Sequence, residues 1–392
     1  MIATPYYNID LAKLQKNLAS LRAAFETLWP NFQIGYSYKT NNLPWLLKWM
    51  HEQGVMAEVV SEPEYELATY VGNQPNNIIL NGPHKGLSNL LLALKNGSIV
   101  NLDSFGEIDF IEENIQSFTH DIKVGLRINF DLERECPGET IPGEEPGRFG
   151  FNLENGDFDK ALNRLSHLQK VKVVGLHGHH STRTKSLRIF NSITRHLCEV
   201  SKKIPALEYL DLGGCLFGDK PGTPTFEEYA STIVDVLEAY QISKEVQLLV
   251  EPGAALIASP VSYVCSVIDV KDIKDRRLVF TDGSVKHVAS QMKAPPFVSS
   301  LNTKSSNLKE KQIVTGYTCI EMDRFLTLDN QPELAKGDRI TIYNVGAYTM
   351  SLTPLFIEYF PTVIVTDENG NEEVVREKWT TKEFIQKSKL YL

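Results

Sequence analysis

No apolar stretch of this 392-residue chain is long enough to span a bilayer, which argues against a membrane partner. Cysteine is scarce: the five at positions 136, 198, 215, 265 and 319 are odd in number and have no metal-ligand spacing. Free thiols in a reducing cytoplasm are the simplest reading of that pattern. The opening MIATPYYNID has no charged leader followed by a long apolar segment, which argues against secretion. Blocks of one charge are absent too. The 49 acidic and 40 basic side chains are scattered, with a net charge of −9, and this argues against nucleic acid as the main partner. What remains, 42% apolar and 23% charged residues, is the composition of an ordinary globular protein. The length exceeds one average domain, so two are expected.

Eight short segments share one plan, in which an apolar run leads straight into polar or reactive residues. They are QIGYSYK (33–39), MAEVVS (56–61), IILNGP (78–83), IVNLDS (99–104), KVGLRIN (123–129), VVGLHGHH (173–180), YLDLGG (209–214) and QLLVEPG (247–253). Helical stretches such as LPWLLKWMHEQG and NSITRHLCEVSKK lie between them. Apolar strands alternating with helices argue for a parallel sheet buried on both faces. Eight such units over about 220 residues predict a closed (β/α)8 barrel, with its active site at the carboxyl ends of the strands. Ahead of the barrel, TPYYN (4–8) reads as a strand and Asp10 as the N-cap of a helix over LAKLQKNLASLRAAFETL. Residues 131–147, rich in Pro, Gly and Glu, read as a loop near the site's mouth. After residue 256 the segments VSYVCSVIDV, RRLVFTDG, QIVTGYTCI, RITIYNVGAY, PTVIVTD and EEVVRE are strand-like, with little helix before 381–388. The expected domains are thus 1–25 (a strand joining the C-terminal β domain, and a helix), a barrel over 26–255, and a β-rich domain over 256–392.

The strand ends carry the candidate chemistry. Lys39 is either a solvated surface lysine or an amine held for reaction with an aldehyde, its pKa lowered by burial or a neighbouring cation. Glu251 follows a buried run and needs a cationic partner, in a structural ion pair or at a ligand. His177, His179 and His180 suggest zinc at first sight. On a strand, however, His180 points away from the other two, and no carboxylate is adjacent in sequence, so no metal site is expected. Gly213 and Gly214 let backbone N–H groups approach a phosphate, or simply make a tight turn.

In order along the chain, YSYKTNN, Glu58–Ser61–Glu64, GRFG (147–150), GLHGHH, LDLGG, EPG, TC…D near 319–323, and GAY followed eight residues later by Phe356 resemble the fold-type III pyridoxal phosphate (PLP) decarboxylases. The likeness is to the diaminopimelate and ornithine decarboxylases, whose fold is that of alanine racemase: a barrel with a β-rich C-terminal domain. It implies that Lys39 carries PLP through a Schiff base, that Glu251 keeps the pyridine nitrogen protonated, and that His179 lies against the ring with His177 supporting it. Glu58, Thr182, Gly213, Gly214, Cys215, Gly253 and Tyr348 complete the implied cofactor site; Tyr348 could otherwise be an ordinary strand tyrosine. Cys319 would come from the neighbouring subunit of a homodimer with shared sites and return a proton to the substrate's Cα; its bland alternative is a buried, inert thiol. Glu321, Asp323 and Phe356 fall at substrate positions.

The departures bear on the substrate. EPG continues with Ala254 and Ala255 where the family has Arg, and Ile320 replaces the acid that holds a distal ammonium, with Glu321 next. Cys215 stands for the family's third glycine, and His180, Ser181 and Thr182 replace an apolar residue, glycine and serine. Comparable losses occur in carboxynorspermidine decarboxylases, and some relatives act on conjugated amino acids. The reading is a cytoplasmic amino-acid decarboxylase for a diamino or conjugated substrate that a carrier could present. A PLP-dependent racemase and a non-catalytic regulatory relative are the alternatives.

Overall fold

The computed structural model describes residues 2–218, 220–289 and 296–389. By internal packing the chain separates into two units, one of residues 18–255 and one of residues 1–17 together with 256–392. Strand β1 (Tyr6–Asp10) opens the chain and leads into the helix Leu11–Glu26. Asp10 caps that helix, its Oδ1 accepting from the Lys13 N–H at 2.9 Å. The helical spacing of Leu14, Leu18, Leu21 and Phe25 puts one apolar stripe in the core, and all four are buried.

The larger unit is the barrel. Its strands are β2 (Phe32–Ser37), β3 (Met56–Val59), β4 (Ile78–Leu80), β5 (Ile99–Leu102), β6 (Ile122–Asn129), then past the two-residue β7 (Phe151–Asn152) β8 (Val171–His177), β9 (Tyr209–Asp211) and β10 (Gln247–Val250). Each pairs in parallel with its neighbour and β10 pairs with β2, so the sheet closes; β7 pairs only with β6. Met56, Ile79, Val174, Tyr209 and Leu249 form an apolar layer in this unit. Tyr209 fits because β6 and β8 carry glycine opposite it: a Cβ at Gly125 or Gly175 would stand 2.1 or 2.0 Å from its phenol. The expected loop at 131–147 contains a helical turn, Leu132–Glu135. It is tied down by carboxylates: Glu139 accepts from the Thr184 and Ser186 hydroxyls, and Glu135 from Ser192, Arg195 and His196.

In the smaller unit β1 lies between β11 (Val261–Ile273), antiparallel, and β17 (Thr362–Thr366), parallel. The sheet runs β15 (Arg324–Pro332), β14 (Leu308–Thr315), β12 (Arg276–Thr281), β11, β1, β17, β18 (Glu372–Arg376); β16 (Arg339–Tyr343) adds to β11 and β13 (Ser299–Asn302) to β16. Two strand-like runs stop short of their sequence patterns. β14 ends at Thr315 and β16 at Tyr343, so Cys319 and Tyr348 lie in irregular segments beyond them. Tyr348 has φ 57°, a left-handed conformation a strand residue does not adopt.

Candidate active site

β2 ends at Ser37 and turns at once through a single 3-10 turn, Tyr38–Thr40, which carries Lys39 at the barrel's carboxyl end. Lys39 Nζ lies 2.5 Å from Oε2 of Glu58, the residue paired with Ser37 on β3. Glu58 is 1% exposed, and the same oxygen accepts from Ser37 Oγ at 2.6 Å. A buried carboxylate is tolerated only with such partners. Ser61 and Glu64, part of the same sequence motif, serve the following helix instead. Ser61 caps it, and Glu64 reaches back to the Val60 N–H at 2.8 Å.

Glu251, at the end of β10, is 5% exposed. Its Oε1 accepts from Asn81 Nδ2 at 2.5 Å, and its Oε2 lies 3.5 Å from His177 Nε2. Behind it runs a chain of side chains inside the barrel: Tyr209 O–H donates to Asn101 Oδ1 at 2.8 Å, and Asn101 Nδ2 to Asn81 Oδ1 at 2.9 Å. Asp211, at the end of β9 and fully buried, accepts from the Gly213 N–H at 2.9 Å and from Asn101 Nδ2 at 3.4 Å. Burial and the adjacent charge of Glu251 hold the Asp211 carboxyl well above the usual range. Burial also disfavours ionised Glu251, but the contacts from His177, Asp211 and Lys39 outweigh it and hold that group below the usual range. The two acids therefore share one proton, carried on Asp211. One nitrogen of His177 and one oxygen from each acid lie within 4.8 Å of one another, a donor set that the separated sequence positions did not suggest. Neither ring nitrogen of the buried His177 makes a hydrogen bond among the described residues.

His179 and His180 lie past the end of β8 and diverge as the alternation of side chains requires. The rings of His177 and His179 are near-parallel, 6.3 Å apart, whereas His180 packs on Phe130 at 4.6 Å. Burial and the nearby Arg127 guanidinium keep His179 neutral, its pKa well lowered. Arg127 is itself held by Asp103 at 3.2 Å and donates to the His179 carbonyl at 3.0 Å. Next to this ring, Gly213 (φ 64°) and Gly214 are sterically required. A Cβ at the first would stand 2.5 Å from His179 Nδ1, and at the second 2.3 Å from the Glu251 carbonyl oxygen. The Gly214 N–H donates to His179 Nδ1 at 3.2 Å. Cys215 follows in the left-handed region (φ 73°), its Sγ 3.4 Å from the Thr182 hydroxyl. Gly253 is excluded from carrying a side chain by Thr40 Oγ1, 2.0 Å from where its Cβ would be. Ala254 begins a short helical turn, Ala254–Ile257.

The barrel gathers Lys39, Glu58, His177, His179, Thr182, Gly213, Gly214, Cys215, Glu251 and Gly253 at or just past its strand ends. Asp211, Asn81, Asn101 and Arg127 were not singled out in the sequence. The available signal was a polar residue within or directly after an otherwise apolar run, in IILNGP, IVNLDS, KVGLRIN and YLDLGG.

Cys319, Glu321, Asp323, Tyr348 and Phe356 belong to the other unit. Cys319 is exposed in the turn after β14, not buried. Asp323 is 3% exposed, and its carboxylate is saturated by its own chain. Oδ1 accepts from Ser284 Oγ and the Val285 N–H at 3.2 and 2.8 Å, and Oδ2 from the Thr318 N–H and Oγ1 at 3.2 and 2.7 Å. It braces the turn that carries Cys319. Glu321 points to solvent and is bonded by Arg324. Phe356 is exposed, and Tyr348 half-buried.

Residues 11–258 match the family described as pyridoxal-dependent decarboxylase, pyridoxal binding domain. The chain is 25% identical over 399 residues to a diaminopimelate decarboxylase of Methanocaldococcus jannaschii, covering 98% of this chain and 91% of that one. It is 26% identical over 408 residues to an L-glutamyl-(BtrI acyl-carrier protein) decarboxylase of Niallia circulans, covering 97% and 93%. Among solved structures, a diaminopimelate decarboxylase of M. jannaschii superposes with a TM-score of 0.89 at 23% identity, covering 100% of this chain and 93% of that one. No helix among the described residues is long and apolar enough to cross a membrane. A closed barrel with lysine, carboxylate and glycines at its strand ends, a separate β unit, and a family match over most of the chain agree: this protein belongs to the fold-type III pyridoxal-dependent decarboxylases and is an amino-acid carboxy-lyase.

Proposed function

We propose that the chain binds PLP in the barrel (26–255), covalently through Lys39, and decarboxylates an amino acid whose far end is conjugated or less cationic than that of a simple diamino acid. The residues suit the cofactor. Gly213, Gly214 and Gly253 stand where any Cβ would collide, which keeps side chains out of the place proposed for the phosphate, where the Thr182 hydroxyl would donate; the resemblance adds Tyr348 as a phosphate ligand. Bound PLP supplies an electron sink for the carbon that loses CO2. Glu251, kept ionised by His177, Asp211 and Lys39 and bonded by Asn81, would hold a protonated ring nitrogen. His179, buried and neutral, would cover one ring face. Glu58 holds the Lys39 ammonium in place and is the local acceptor when that amine changes protonation.

The observation that carries the reading is the spacing of two acids around one barrel mouth: Glu58 on Lys39, and Glu251 held apart from it by Asn81, whose amide lies 3.2 Å from Glu58 Oε1 and 2.5 Å from Glu251 Oε1. One acid tunes an amine and the other a ring nitrogen. Cys319, exposed and therefore accessible to substrate, would return the proton to Cα from a second copy of the chain, in a homodimer with shared sites. Glu321 is engaged by Arg324 and Ile320 is apolar, so this turn offers no free acid for a distal ammonium. That supports a conjugated substrate, including one presented by a carrier protein, as the name of the Niallia circulans relative indicates for that enzyme. Five free thiols fit a cytoplasmic setting.

The test is CO2 release from a panel of amino acids, diamino acids and their conjugates by protein reconstituted with PLP. Conjugated substrates should turn over best. A charge-assisted hydrogen bond lost at Ile320 disfavours a distal ammonium by about 10²-fold. A kcat/KM for meso-diaminopimelate of roughly 10⁴ M⁻¹ s⁻¹ or more would contradict the substrate reading, and no CO2 from any of them would contradict the activity.

A further inference from the structure

Neither the fold of the β-rich unit nor the proposed chemistry explains where the Lys286 ammonium rests. Lys286 lies in the helical turn Val285–Val288. Its backbone is fixed on both sides: its N–H donates to Ser284 Oγ at 3.2 Å, and its carbonyl accepts from Thr353 Oγ1 at 3.3 Å. The side chain is thereby directed onto Phe356, with Nζ 5.0 Å from the ring centroid. Phe356 is the residue expected at the substrate.

No carboxylate of the described residues balances this cation. Among the described residues Lys286 makes no ion pair, and each acid in the neighbouring segments is already engaged. Asp323 accepts four hydrogen bonds from Ser284, Val285 and Thr318. Glu321 is held by Arg324, and Glu358 by Lys378 at 2.8 Å. Ile320 contributes none. A cation resting on an exposed aromatic face is stabilised only modestly. Its unmatched charge is available to an incoming anionic ligand, and it repels an ammonium brought against Phe356.

We propose that Lys286 is a specificity-determining residue that selects an amino acid with an anionic far end, such as a carboxylate, over one ending in an ammonium. The inference rests on the reading above that Phe356 lines the substrate's place, and it goes further by fixing the sign of the substrate's distal charge. Ile320 stands where the family has an acid and Lys286 adds an ammonium beside Phe356, so the proposed substrate position is changed in charge and not merely made apolar.

Two product-shaped amines test this without turnover: 5-aminopentanoate, with a carboxylate at its far end, and 1,5-diaminopentane, with an ammonium there. Their dissociation constants for the PLP-loaded enzyme are read from the change in its visible absorption. 5-Aminopentanoate should bind about tenfold or more tighter, as expected for one charge-assisted contact against one repulsion. Lys286→Met should shrink the preference to about threefold or less, and Lys286→Arg should keep it. The proposal is overturned if the wild-type enzyme binds the diamine as tightly, a result independent of whether any variant folds. It is equally overturned if Lys286→Met binds both amines with the preference intact. Failure of the decarboxylase reading is seen elsewhere, as absence of CO2 from every amino acid.

Discussion

The Asn81 side chain donates to Glu251 at 2.5 Å and accepts from Asn101 at 2.9 Å, so its amide can face only one way. That orientation keeps a donor on the acid assigned to the ring nitrogen. Asn81→Asp puts an acceptor against an acceptor in a buried site, and Asn81→Ala leaves Glu251 Oε1 unsatisfied at a cost of roughly 1–3 kcal/mol. Both should release PLP on dialysis at least about tenfold faster than wild type, Asn81→Asp the more so. Equal retention by all three would mean that Glu251 does not depend on this amide.

Asp211 links two parts of the site, binding the Gly213 N–H through one oxygen and lying beside Glu251. Burial and the charge of Glu251 raise its pKa, so a rise in pH toward that value adds a second buried negative charge. Asp211→Asn, neutral and of the same shape, should retain PLP and lose the alkaline fall in activity. Asp211→Ala should lose PLP. A pH profile of Asp211→Asn identical to wild type on its alkaline side would show that Asp211 is not the group titrating there.

The barrel was legible because each strand is a short apolar run, and strands buried on both faces leave that mark. The runs overshoot only at their carboxyl ends, where 33–39 became Phe32–Ser37 and 173–180 became Val171–His177, since the reactive residues stand just beyond the strands. Lys39, His179 and Glu251 could be found for the same reason. The polar chain through Tyr209, Asn101 and Asn81 could not, because its contacts join residues 20, 108 and 170 positions apart. β13 and β15 were missed as alternating, half-exposed strands, and the RITIYNVGAY pattern breaks at left-handed Asn344 (φ 61°), with Tyr348 left-handed as well.

His287 offers a pH test of the β-rich unit. It is 2% exposed, its Nδ1 is 2.5 Å from the Tyr263 hydroxyl, and burial lowers its pKa from 6.5 to about 4. The unfolded chain binds this proton more readily than the folded one. The stabilisation is therefore complete above pH 6.5 and lost as pH falls toward 4, by roughly 3 kcal/mol in all. Thermal unfolding between pH 4 and 7 should show a shallower dependence for His287→Gln than for wild type. Parallel curves would assign the acid sensitivity to other groups.

Cys319 and Lys39 belong to different structural units, and in the proposed shared-site dimer they would meet across copies. Lys39→Ala and Cys319→Ala proteins should each be nearly inactive. Mixing them under conditions that exchange subunits should restore activity, approaching one quarter of wild type for random pairing with one intact site in each mixed dimer. Exchanged mixtures that stay inactive would contradict the shared site.

Everything assigned to Glu58, Glu251, His179 and the glycines presupposes that Lys39 carries the cofactor. Borohydride reduction of the PLP-loaded protein, followed by peptide mass mapping, tests that directly. The account predicts a yellow protein that bleaches on reduction, with the reduced adduct on Lys39 and none formed by Lys39→Ala, which should lose nearly all turnover. An adduct on any other lysine, or none at all, would contradict it.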